Sequence, residues 1–504
     1  MKEKELSFKI MQEETLDPDD WDMMRTTGSQ MVDDMILFLQ NIRRQPVWRK
    51  PPEEVKEHFK ATLPHTSQPF GEVYEEFKTH ILPYYTGNIH PRFWSWVMGT
   101  GTAQSMLAEM LAAGMNCNVC IGDQSPMYVD QQVINWCKEM IGFPKESSGM
   151  LVSGASAANL NALVVARNSV NKYIRSRGLQ IYTSKLVMYA SAETHSSVQK
   201  AAEIMGIGSG GVRKVRVDHL YKMDMNHLEE LIHKDRSSGN IPFCVVANVG
   251  TVNTGAIDPL EEIFLVCMKY NLWFHIDAAF GALTKLLPEY QEKLKCLELA
   301  DSIAFDLHKW MYMPYEAGVV LVKNADTHRD TYALQPDYIL NHERGIAAGP
   351  ELTSNFGFDL SRNFKALKVW MALKEHGIDK FKRLIGQNIQ QARYLEGLVR
   401  REASLELMAP VSMNIVCFRY NPGLLMKWEL NKLNKEILMR IQEEGIAAPS
   451  YTKLNDEYCL RVAITNHRSI QNDFDVLVKE VLRIGNSLEK EMAEGPGEKK
   501  KKVA

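Results

Sequence analysis

Between about Thr100 and Glu375 the chain alternates short apolar runs with stretches of helical periodicity. The runs Gly149–Ser153, Leu186–Ala190, Lys214–Val217, Phe243–Asn248, Trp273–Ile276, Ser302–Phe305 and Gly318–Val322 predict strands. Ala157–Ser169, Ser197–Met205 and Leu260–Tyr270 lie between them and predict helices. Such alternation predicts an α/β domain with a mainly parallel sheet flanked by helices. Ligands of open sheets bind beyond the carboxyl ends of the strands, so chemistry is expected in the residues that follow each run. Upstream, Pro18 to His80 reads as helices broken by prolines, with Asp17-Pro18-Asp19 as a start signal and an amphipathic stretch from Met31 to Leu39. This arm has little core of its own and is expected to pack on a partner subunit. After about Phe381 a helix, the run Asn414–Tyr420, a helix from Asn431 to Glu444 and the run Tyr458–Ile464 predict a small α+β unit. The expected organisation is a helical arm (1–99), a large domain (100–380), a small C-terminal domain (381–489) and a polar tail (490–504) that includes Lys499–Lys502.

Composition narrows the class. A chain of 504 residues, 45% hydrophobic, is long enough for more than one structural unit at roughly 150 residues each. Net charge is −3 and the pI is near 6.6, which gives no sign of a nucleic-acid surface. No run of about 18 apolar residues occurs, so no membrane span is expected. Met1–Glu14 lacks the apolar core of a secretory signal. Eight cysteines in this length do not form a disulfide framework. Cys117 and Cys120 make a C-x-x-C, but the second pair that a zinc site needs is missing, so no metal is expected. A reducing, cytoplasmic location fits these features.

Four segments after strands carry the candidate chemistry. Lys309 follows Ser302–Phe305 and is flanked by His308 and Trp310, an unusual place for a solvated charge. A lysine in a water-poor pocket can form an imine with a carbonyl cofactor. Asp277 ends an apolar strand and is followed by Ala278 and Ala279, small residues that let a flat ring approach. A pyridinium nitrogen needs a carboxylate partner. Leu151–Asn159 is a strand end, a small-residue turn and a helix start, a pattern suited to holding a phosphate. His195 opens a helix after Leu186–Ala190 and could stack on an aromatic ring. Each segment alone also has an ordinary structural reading, as turn, cap or core. Their order and spacing are the signal.

Together these segments resemble the group II pyridoxal-phosphate (PLP) decarboxylases, the family acting on aromatic amino acids, glutamate, cysteine sulfinate and histidine. The similarity spans about residues 20 to 485, with thirty-two residues from Asp277 to Lys309. It extends to His90–Trp94, Asn248–Thr251, Leu360–Trp370 and Leu460–Ala463. It implies the aspartate-aminotransferase fold (fold-type I), PLP as cofactor, and a homodimer with active sites at the interface. It implies that Lys309 holds the cofactor covalently, Asp277 pairs with the ring nitrogen and His195 stacks on the ring. Ala155, Ser156 and His308 would hold the phosphate, with Thr251 and Ala279 along the cofactor face. Asp306 stands where the aromatic branch usually has Asn.

The expected reaction is decarboxylation of an L-amino acid to an amine and CO2. Phe93, Trp94, Trp96 and Trp310 favour an aromatic substrate. The stretch Met115–Cys120 would reach a neighbouring subunit's pocket, where Asn118 and Cys120 are smaller or more polar than the aromatic branch's residues. Asp123–Asp130 lacks the usual Thr-Glu pairing. The mobile loop that carries a catalytic tyrosine in the family should lie within Ile339–Gly357, which has no tyrosine; Tyr338 borders it. Loss of that tyrosine accompanies oxidative deamination to an aldehyde in related enzymes. The alternatives are therefore an aldehyde synthase or a decarboxylase of an acidic or small amino acid such as glutamate or cysteine sulfinate.

Overall fold

The computed structural model describes residues 14–334 and 342–494. Tyr338, Asn341 and the Lys499–Lys502 tail lie outside the described residues. The chain divides into a smaller unit, residues up to 45 with 51–83, and a larger one, residues 46–50 and 84 onward.

The smaller unit is helical, as its proline-broken pattern predicts. Its main helix, Trp21–Gln40, is capped by Asp20, whose side chain accepts from the N–H groups of Asp22 and Met23. None of the residues of this helix is buried. Tyr74 donates its hydroxyl to Asp34 Oδ2 at 2.8 Å and ties a later helix, Phe70–Glu76, to the first.

The larger unit contains twelve strands among the described residues: β1 (Phe93–Trp94), β2 (Ser148–Val152), β3 (Leu186–Ser191), β4 (Val212–Val215), β5 (Ile241–Asn248), β6 (Trp273–Asp277), β7 (Ser302–Asp306), β8 (Gly318–Val322), β9 (Leu405–Leu407), β10 (Ile415–Tyr420), β11 (Ala448–Leu454) and β12 (Glu457–Ala463). The order β2-β8-β7-β6-β5-β3-β4 forms the large sheet. β4, β3, β5, β6 and β7 run parallel, and β8 pairs antiparallel with both β7 and β2. All seven predicted strands are in this sheet; the third of them, expected from Lys214, starts two residues early, at Val212. β3, β7 and β8 are buried along their whole length, which is why they read as continuous apolar runs.

A second sheet, in the order β1-β11-β12-β10-β9, carries its own apolar core, including Phe418, Leu460 and Phe474. Of its strands only β10 and β12 stand out in the sequence. β1 pairs in parallel with β11, so residues 84–99, expected with the helical arm, belong to the larger unit. A two-residue strand carries no periodicity, and only its partner defines it.

Candidate active site

The carboxyl ends of β2, β3, β5, β6 and β7 face one cavity of about 780 Å³. The second sheet closes it with Ser450 and Tyr451 from β11 and Arg461 from β12. Among the residues singled out in the sequence, Ala155, Ser156, His195, Asp277, Ala279, His308 and Lys309 all line this cavity, as does Trp96.

Asp277 is the last residue of β6 and is buried. Its Oδ2 accepts from Asn159 Nδ2 at 2.8 Å and its Oδ1 from the Ala279 N–H at 3.1 Å. Burial pushes its carboxyl pKa up, while the Asn159 bond, Lys309 and His195 pull it back. Asn159 lies one turn into the helix Ala155–Val170 and also donates to Ser197 Oγ at 3.1 Å. Both amide hydrogens are thus used, so Asn159 Oδ1 must accept from His275 Nε2, 2.9 Å away. His275 is then protonated at Nε2 and accepts at Nδ1 from Ser302 Oγ, at 2.8 Å. Ser302 in turn accepts from Trp273 Nε1 at 2.8 Å. Burial drives the His275 pKa down to about 3, which matches this neutral ring. The chain of bonds fixes the carboxylate from behind.

His195 precedes the helix Ser196–Ile204 and caps it. The Ser197 N–H donates to His195 Nδ1 at 3.2 Å, and Ser197 Oγ lies 2.8 Å from the same nitrogen. An N–H can only donate, so Nδ1 is the acceptor and the ring proton sits on Nε2. Burial lowers the His195 pKa, against the pull of Asp277.

Lys309 follows β7 in a short turn, with Nζ 2.8 Å from Asp306 Oδ2. His308 Nδ1 lies 3.1 Å from the Ala317 N–H, whose carbonyl already accepts from the N–H groups of Leu307 and His308. Nδ1 therefore accepts, and the protonated Nε2 is the nitrogen 3.6 Å from Asp306 Oδ2. Burial lowers the His308 pKa.

Ala155 and Ser156 begin a helix whose first intrahelical bond runs from the Ala158 N–H to the Gly154 carbonyl, at 2.9 Å. No side chain caps it. The N–H groups ahead of Ala158 have no intrahelical acceptor, and residues 154–157 line the cavity.

Four other expected residues lie elsewhere. Thr251 is buried, and its hydroxyl meets Thr254 Oγ1 and the Ala256 N–H; its neighbours Gly250 and Val252 reach the cavity instead. Phe93 packs with Val47 and Ala448 and does not line the cavity, although its pairing with Ala448 puts it on the same face of the second sheet as Ser450 and Arg461. Cys120 is fully buried within its own unit and has no surface to present to a neighbouring chain. The Val119 N–H to Arg362 carbonyl bond, at 2.8 Å, draws this stretch inward. Asn118 remains exposed, though its Oδ1 accepts from the Arg362 N–H at 2.9 Å.

Arg461 carries more of the site than its sequence suggested. It is buried and donates to the carbonyls of Asn253, Trp96 and Val252 at 3.1, 2.5 and 2.6 Å. It has no carboxylate partner among the described residues, and burial lowers its pKa. An arginine inside an otherwise apolar strand was the available signal. The linking role of Asn159 had none, since helical asparagines are common.

A buried strand-end carboxylate, a lysine at the end of the next strand and an uncapped helix N-terminus in one cavity define an enzyme site built for a phosphorylated pyridine aldehyde. The profile of the pyridoxal-dependent decarboxylase conserved domain matches residues 52–421, and the chain belongs to that family. It is 31% identical over 451 residues to the aromatic-L-amino-acid decarboxylase of Bacillus atrophaeus, covering 88% of this chain and 92% of that protein. It is 28% identical to a phenylacetaldehyde synthase of a Rosa hybrid cultivar, over 89% of this chain and 90% of that one. The crystal structure of Oryza sativa TDC with PLP and tryptamine superposes with a TM-score of 0.85 at 23% identity, covering 94% of this chain and all of that one. The fold is thus fold-type I, the cofactor is PLP and the enzyme is a carboxy-lyase.

The residues fit that cofactor. The uncapped N–H groups offer donors for a phosphate, and Asp277 offers a buried carboxylate for a ring nitrogen. Gly250, at φ +97°, passes so close to Phe280 that a Cβ would lie 2.5 Å from its ring. Glycine there keeps the β5 end of the cavity narrow.

Proposed function

We propose that the substrate is an aromatic L-amino acid and the products are its amine and CO2. The observation that carries this reading is the meeting of Lys309, Asp277 and His195 in one cavity whose outer wall holds three exposed aromatic side chains, Trp96, Tyr315 and Tyr451. The aromatic decarboxylases among its relatives support it.

Lys309 would hold the cofactor covalently through Nζ, with Asp306 orienting that nitrogen. Asp277 would hold a proton on the ring nitrogen, and the Asn159–His275–Ser302 chain keeps its carboxylate in place. His195 would lie against the ring with Nε2–H available to substrate. Ala155, Ser156 and His308 would hold the phosphate, with Ala279 beside the ring. When bound, the cofactor supplies an electron-accepting ring. Arg461, a buried cation whose present partners are all neutral, would bind the substrate carboxylate and so orient the bond to be broken. Lys309 Nζ, at the same place, would also serve to carry a proton to or from the substrate.

A homodimer belongs to the same reading. The helix Ala103–Met115 leaves Met110, Leu111 and Met115 about half exposed, an apolar face suited to a second copy. A cytoplasmic location is supported by eight free cysteines. Among the described residues no helix is long and apolar enough to cross a membrane.

A second reading, aldehyde synthase, is favoured by the absence of tyrosine from Ile339–Gly357. Part of that segment is anchored: Thr353 Oγ1 donates to the Val119 carbonyl at 3.1 Å, and Asn161 Nδ2 to the Phe356 carbonyl at 2.8 Å. Incubation with each of the twenty amino acids, measuring CO2, amine, aldehyde and peroxide, separates the readings. Amine from Trp, Tyr, Phe or a hydroxylated relative is expected. Aldehyde with equimolar peroxide would replace the first reading by the second, and turnover confined to glutamate or cysteine sulfinate would overturn the aromatic assignment.

A further inference from the structure

Asp306 is the carboxylate of this cavity whose second oxygen has no task. It ends β7 with its side chain 1% exposed, and Oδ2 faces Lys309 Nζ and His308 Nε2. Oδ1 is buried and has no hydrogen-bond partner among the described residues. That oxygen faces Gly154: a Cβ built there would lie 3.7 Å from it and 3.3 Å from Cε1 of His308. Gly154 precedes the uncapped helix Ala155–Val170, so the unpartnered oxygen looks onto the cradle that fits the cofactor phosphate.

An ionised carboxylate is a poor neighbour for a phosphate. It has only acceptor lone pairs, and two anions at short range repel. An asparagine at this position would present an N–H. An aspartate can present a donor only as the acid. Lys309 touches the other oxygen, and its nitrogen becomes committed to the cofactor.

We propose that Asp306 takes up one proton when PLP binds and that its Oδ1–H then donates to the phosphate, so that cofactor affinity falls as pH rises. The proposal rests on the reading of this cavity as the cofactor site. The proton comes from solvent. The C=N bond formed between Lys309 Nζ and the cofactor aldehyde expels one water and does not draw on Asp306. The groups that face Asp306 are Lys309 and His308 on its own turn, His195 from the segment after β3, and Tyr315 from the segment before β8. Asp277 acts on Lys309 and His195. Asp306→Asn also changes the charge that these groups face, but pyridoxal meets the same groups, so the comparison is read on PLP relative to pyridoxal for each protein.

The test is PLP binding to the apoprotein above about pH 7, where a free phosphate monoester is already largely dianionic. Affinity is read from visible absorbance, and proton uptake from calorimetry in buffers of different ionisation heat. The ratio of the wild-type Kd to that of Asp306→Asn should rise by up to about tenfold per pH unit, with one more proton taken up by the wild type. Pyridoxal, which lacks the phosphate, should show no such excess on the wild-type protein. A pH-independent ratio with equal proton uptake would overturn the proposal. Should Asp306→Asn fail to fold, identical pH slopes for PLP and pyridoxal on the wild type would overturn it equally. A wild-type protein that bound no PLP would overturn the site reading as well.

Discussion

Asn159 and Asp277 are joined by a 2.8 Å bond from Nδ2 to Oδ2, and the rest of the Asn159 amide is committed to Ser197 and His275. One helical side chain thus ties Asp277, the proposed partner of the ring nitrogen, to Ser197, which orients His195. Asn159→Ala should keep the fold and lower kcat/KM. A hydrogen bond to a charged group is worth about 1.5–3 kcal/mol, which corresponds to roughly a 10- to 150-fold loss. Steady-state kinetics and PLP titration check this; unchanged values for both would show that Asp277 needs no support from Asn159.

Lys309→Ala should abolish turnover. The wild type should be yellow, with a visible band lost on borohydride reduction and the label recovered on the peptide containing Lys309. A variant that kept a reducible band would assign the covalent bond to another lysine.

Arg461 is expected to distinguish substrate from product, because only the substrate has a carboxylate. Arg461→Met should lower kcat/KM by about 100-fold or more, in line with the cost of losing a charge-assisted bond. The inhibition constant of the amine product should change far less. Equal losses for both ligands would mean that Arg461 acts by holding the Trp96, Val252 and Asn253 carbonyls.

The pH dependence of stability has a sign that follows from buried histidines. His328 is buried between Ser148 Oγ and Asn161 Oδ1, at 2.8 and 2.9 Å, and burial lowers its pKa from 6.5 to about 3. The unfolded chain therefore binds more protons between those values. The stabilising contribution is complete above about pH 6.5 and is lost as pH falls toward 3, at up to about 1.4 kcal/mol per pH unit. Asp130 and Asp258, raised by burial to about 6, act in the opposite sense: their contribution is greatest below about pH 4 and is lost as pH rises through 6. Urea unfolding of His328→Gln between pH 6.5 and 4 should show a shallower acid loss than the wild type. An identical slope would place the proton elsewhere.

The apolar runs determined a great deal by themselves. Strands buried on both faces must be continuously apolar, which made β3, β7 and β8 legible outright; the other four followed from their alternation with helices, β4 two residues out of place, and with them came the side on which Lys309, Asp277, His195 and Ser156 would meet. Asp277 closes such a run and Lys309 follows one, and their order and spacing with His195 and Ser156, not either charge alone, made them readable. What the tertiary structure decided depended on contacts between residues far apart in the chain. β1 is a strand only because β11 lies beside it. Thr251 is drawn off the cavity by a local turn, and Phe93 packs against Val47 and Ala448 instead of lining it, contacts that local sequence does not specify. Arg461 enters the site from the second sheet, and Asn159 matters only because β6 brings Asp277 to within a hydrogen bond of its helix. Periodicity records which faces are buried, whereas the partner met on each face is set by how the two sheets and their helices pack.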